Sequence, residues 1–157
     1  MKKLILLFIL AVYFISPVIS IAGDKIPTNT KNEKIYTPGL GEIMTVTQMR
    51  HSKLWFSGKA ANWKLAEYEL FELQEGFDDA VKFHPDRSVL LIKFTKKPIE
   101  QLKISISEKN DVKFERSFKA LTNSCNACHK VANFEFNRVI IPLSNPFTNQ
   151  NFTNPLK

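Results

Sequence analysis

Only two cysteines occur in the 157 residues, and they stand three apart with a histidine directly behind the second: Cys125-Asn-Ala-Cys128-His129. Residues three apart on a helix share a face, so both thiols point the same way if this stretch is helical. No other feature constrains the fold as much. It asks for a helix late in the chain and for something that this helix face can hold.

Four chemistries use such a pattern. A structural zinc site needs four ligands, and two cysteines with three scattered histidines give no such set. A thioredoxin-like dithiol needs a strand before its C-x-x-C, whereas a helical pattern precedes this one. A disulfide across four residues would constrain the unfolded chain very little. The remaining chemistry is covalent attachment of c-type haem, with one thioether from each cysteine and the adjacent imidazole on the iron. One haem c, bound through Cys125, Cys128 and His129, is therefore the expected cofactor, and Phe114, Phe118 and Leu121 share the helix face that would wall it from water.

The beginning of the chain agrees with that chemistry, because c-type haem is attached outside the cytoplasm. Lys2 and Lys3 precede an apolar run from Leu4 to Ile15, and Ser20-Ile21-Ala22 has small residues where a signal peptidase reads. The run is too short for a spanning helix. Residues 1–22 therefore read as a secretory signal peptide, which leaves no stable membrane span after cleavage and places the protein in the periplasm or outside the cell. Without Lys2 and Lys3 the formal charge falls from +7 to about +5. The basic residues that remain are spread out, with Lys93, Lys96 and Lys97 the densest group, so nucleic acid is not an expected partner. A mildly basic surface suits an acidic protein partner.

Residues 23–38 carry two prolines and read as an N-terminal arm. From Leu40 the apolar residues recur at spacings of three and four, through Ile43, Met44, Thr47, His51, Leu54 and Trp55, until Gly58. Asn62 is a plausible N-cap for a second helix that Pro85 stops. "RSVLLIKFT" (87–95) reads as a connection or as the lead-in to a third helix, with Pro98 at that helix's first position. Asp111 is the expected N-cap of a fourth helix, which carries the cysteines. Prolines and asparagines then give residues 136–157 the character of an extended tail. The expected architecture is all-α: a four-helix bundle over 39–135, with covalent haem and an irregular C-terminal tail, and no internal repeat.

An exported helical domain with one C-x-x-C-H near its C-terminal end resembles the class II cytochromes c, the cytochrome c′-like four-helix bundles. Cys125, Cys128 and His129 match that family's attachment cysteines and proximal ligand. The stretch "QMRHSKLWFSGKAANWKLAEYEL" (48–70) also resembles a group of small bacterial haem-attachment proteins, from about Pro38 to the tail. The resemblance implies a four-helix fold and is compatible with a homodimer. Two departures limit it: the segment after His129 lacks the basic residue expected near the proximal histidine of a typical cytochrome c′, and the tail is additional. The resemblance therefore does not extend to gas binding at a five-coordinate iron.

In such a bundle the first helix runs antiparallel to the fourth and can cover the distal face of the haem. Its inward stripe offers His51 and Met44, about 10 Å apart, so only one can serve the iron. Register favours Met44. Chemistry favours His51, whose ring nitrogens need partners in an apolar stripe, and His51 is the expected distal ligand with Met44 the alternative. His84 is a distant third, and Arg50, Lys53 and Trp55 are candidates for the propionates. The expected function is that of a monohaem c-type cytochrome, a periplasmic one-electron carrier serving a redox partner protein rather than an enzyme. A gas-binding or sensing module with an open distal site is the alternative, and a haem enzyme ranks third.

Overall fold

The computed structural model describes residues 36–155; the expected signal peptide and most of the N-terminal arm lie outside the described residues. Among the described residues there are four long helices and no strand: α1 (Leu40–Lys59), α2 (Trp63–Phe83), α3 (Ser88–Ser107) and α4 (Asp111–Val131). None is long and apolar enough to cross a membrane. Each helix packs on its neighbour in sequence, and α4 returns to α1, which closes the ring. Leu54, Ala66, Leu73, Leu102, Phe114, Phe118 and Leu121 form the sealed core between them.

The two tight turns are built alike. α1 ends with Ala61 at φ 51° and α3 with Lys109 at φ 51°, the left-handed conformation that terminates helices. In both, the next residue is an asparagine whose backbone N–H donates five residues back, Asn62 to Ser57 and Asn110 to Ser105. That asparagine's side chain then caps the following helix, Asn62 accepting from Leu65 N–H and Asn110 from Lys113 N–H. The fourth helix is thus capped by Asn110 rather than Asp111, which stands one residue inside it. α4 ends the same way, with Asn133 at φ 62° and Phe134 N–H donating to His129 C=O, but here the tail follows.

The third helix begins earlier than expected. "RSVLLIKFT" is its first half, and Pro98 lies in its interior. An interior proline deprives the carbonyl four residues back of its donor. That carbonyl belongs to Phe94, and Ser124 on α4 donates its hydroxyl to it at 2.5 Å. A bond across the bundle replaces the one within the helix, so the Phe94 carbonyl stays partnered although Pro98 lies inside α3.

Two glycines allow close approach on α1. A Cβ at Gly58 would collide with the Phe114 ring, and one at Gly76 would lie 2.7 Å from the Thr47 hydroxyl. α1 and α2 are further joined by Arg50, which pairs with the buried Glu69 at 3.1 Å and with Glu72 at 2.8 Å. Residues 132–155 form neither helix nor strand. They run back along the bundle from the end of α4, past Lys53, whose ammonium lies over Phe147, to buried Phe152 against Phe56. There Asn62 donates its amide to the carbonyls of Phe152 and Thr153.

Candidate haem pocket

The register of α1 against α4 follows from four pairs. Lys59 pairs with Glu115, Gly58 meets Phe114, Trp55 lies 4.9 Å from Phe118, and His51 bonds Thr122. From Gly58 to His51, α1 runs back seven residues while α4 runs forward eight, from Phe114 to Thr122. Continued, this antiparallel register brings Met44 level with His129.

At that end the two helices part around a partly open, mainly apolar pocket of about 220 Å³. Cys125, Cys128 and His129 line one side, and Met44, Gln48 and His51 line another. Leu73 and Phe77 of α2, Leu91 and Phe94 of α3, and Phe134 and Val139 of the tail complete it. Sequence spacing alone points to the motif and the two distal candidates, and the fold brings all five residues to one cavity.

Both cysteines are free thiols. Burial pushes Cys125 up to about 12 and also raises Cys128, where the charge of Arg87 pulls the other way. His129 Nδ1 lies 2.6 Å from the carbonyl of Asn137. A carbonyl only accepts, so Nδ1 carries the proton and, in the neutral ring, Nε2 keeps its lone pair.

His51 is in a different state. It is buried, and its ring lies 4.4 Å from Phe118. The Thr122 hydroxyl donates to the Phe118 carbonyl, so it accepts from His51 Nε2–H at 2.9 Å. Burial lowers the His51 pKa to about 4, so the ring is neutral at physiological pH. The need for iron to satisfy this nitrogen therefore lapses. Met44 lines the same cavity and, as a thioether, has no strong hydrogen bond to give up.

The other candidates lie elsewhere. His84 Nε2 donates to the Pro38 carbonyl at 3.1 Å and ties the start of α1 to the end of α2. Arg50 faces α2, Lys53 faces the tail, and Trp55 packs on Phe114 and Phe118. Among the described residues Arg87, which sequence reasoning missed, is the one arginine or lysine lining the pocket. It sits on the short turn Pro85–Arg87 between α2 and α3, and only the folded chain brings that turn beside the cysteines.

Among the described residues no three histidine, cysteine or acidic side chains gather as a bare metal ion would need. The donor set fits haem instead: two unpaired thiols on one helix face, an imidazole whose Nε2 keeps its lone pair, an apolar cavity and one guanidinium. Comparison with protein-family models, curated proteins and solved structures finds no match.

Proposed function

We propose that the chain is a monohaem c-type cytochrome that carries single electrons in the periplasm between partner proteins. The observation that carries this reading is the convergence of Cys125, Cys128 and His129 on one wall of an apolar pocket, with Met44 level with His129 on the other. Bound haem would supply a reversible one-electron couple at its iron. Cys125 and Cys128 would hold it by thioethers, and burial keeps their thiols protonated until then. His129 would offer Nε2 as proximal ligand, with Nδ1–H anchored on Asn137. Met44 would be the distal ligand, and His51 its rival only by giving up Thr122 or turning Nδ1 inward. Arg87 would meet a propionate carboxylate, and the aliphatic and aromatic lining would exclude water from the iron.

With His129 and Met44 both offered to the iron, a bound haem would change oxidation state with little rearrangement of the chain, which suits transfer rather than catalysis. The test is the mass of the denatured, matured chain, together with optical and EPR spectra of wild type, Met44→Ala and His51→Ala. The expected result is one covalently retained haem and a low-spin spectrum that becomes high-spin in Met44→Ala and persists in His51→Ala. Loss of the low-spin signal in His51→Ala alone would transfer the distal role to His51. Rapid stoichiometric carbon monoxide binding by the reduced wild type would replace the carrier with a gas-binding module. A mass without haem would end the reading.

A further inference from the structure

The tail is more than a covering. Within the motif itself, Asn126 stands between the cysteines, and its side chain makes two reciprocal bonds with one tail residue. Asn126 Nδ2 donates to the Val139 carbonyl at 2.8 Å, and Val139 N–H donates to Asn126 Oδ1 at 2.9 Å. A side-chain amide here pairs with the backbone as a neighbouring strand would. Two residues earlier in the tail, the Asn137 carbonyl accepts a hydrogen bond from His129 Nδ1–H. Asn126 and His129 are three apart on α4, so the clasp and the imidazole lie side by side on the helix.

The chain between them is held at each step. Asn133 in the left-handed conformation turns it back, Phe134 N–H bonds the His129 carbonyl at 2.7 Å, and Asn137 N–H bonds the Phe134 carbonyl at 2.9 Å. Val139 is the far end of this loop, so Asn126 holds the chain beyond the Asn137 carbonyl as the Phe134 turn holds it before. Packing alone does not call for such an arrangement, because Asn137 and most of its neighbours are exposed to water.

We infer that Asn126 is a positioning residue: it clasps Val139 so that the Asn137 carbonyl fixes the tautomer and orientation of His129, with Nε2 presented to the pocket. A partner on the remote nitrogen of a ligating imidazole raises its basicity and orients its ring. The tail would thereby help to set the reduction potential. The tautomer claim stands on the chain alone, and only its effect on the potential rests on the haem reading.

The experiment compares wild type, Asn126→Ala, Asn126→Asp and Asn62→Ala. Nitrogen NMR of histidine-labelled, haem-free protein at alkaline pH reads the tautomer of neutral His129. Wild type is expected to show a protonated Nδ1 and a lone-pair Nε2. In Asn126→Ala the Nδ1 signal shifts toward the unprotonated position as the tautomers mix. Asn126→Asp keeps the acceptor for Val139 N–H and gives a smaller shift. Asn62→Ala frees the far end of the tail and leaves His129 unchanged. In the haem-loaded protein, Asn126→Ala raises the midpoint potential while the low-spin spectrum persists. An unchanged His129 tautomer in Asn126→Ala overturns the proposal, as does an equal shift in Asn62→Ala. A haem-loaded variant with the wild-type potential overturns the extension to redox tuning. Failure to acquire haem would sink the functional reading and leave the NMR comparison decisive for the clasp.

Discussion

His51 shows how far a single residue can be read from its neighbours in sequence. Its place in an apolar stripe announces a buried imidazole needing a partner, and the buried partner exists. The partner is the Thr122 hydroxyl, 71 positions away, and no spacing rule on α1 could name it. Burial sets the consequence. The folded protein keeps His51 neutral down to about 4, whereas the unfolded chain takes up a proton near the ordinary histidine value of about 6.5. Between these limits the unfolded state binds more protons, so stability falls as pH falls through the window and levels off on either side. The loss by the lower limit is of the order of 3 kcal/mol. Urea unfolding at pH 7.5, 5.5 and 4 should show this slope in the wild type. His51→Gln, which cannot titrate, should lack it, and parallel curves for the two proteins would refute the assignment.

The helices are legible as elements because their apolar residues recur at spacings of three and four. Their ends are legible where a residue's own chemistry sets them, as Asn62 does. The third helix departs from its sequence reading because a proline ordinarily suits a helix's first position, and Pro98 stands in the interior. The Phe94 carbonyl depends there on Ser124, which lies on another helix and supplies the donor that Pro98 lacks. The same dependence gives a prediction. Ser124→Ala should cost about 1 kcal/mol in the wild type, where the Phe94 carbonyl loses its donor. In a Pro98→Ala background the restored backbone N–H at position 98 bonds that carbonyl within α3, and most of the cost should disappear. A double-mutant cycle by urea unfolding measures this coupling, and equal costs in both backgrounds would show that the two residues act independently.

At the scale of the molecule the α1–α4 seam is closed tightly at one end and opened at the other. Gly58 admits the Phe114 ring where the helices touch, and the register set there carries Met44 to the level of His129. The composition of the tail marks it as extended, but nothing in composition says where an extended segment docks. It is fixed at both ends by asparagine side chains, Asn126 within the motif and Asn62 at the far turn. These anchors do separate jobs, and truncation separates them. A chain ending at Ser144 keeps the Asn126–Val139 clasp and the carbonyl on His129 but loses Phe152 from its buried site against Phe56. Removing that buried ring and the two bonds from Asn62 should lower stability by about 2–4 kcal/mol. The spectrum and potential of the haem-loaded protein should stay those of the full chain. A chain ending at Glu135 loses the clasp as well, and its potential should rise. If both truncations move the potential equally, the tail acts on the haem through overall stability and not through His129.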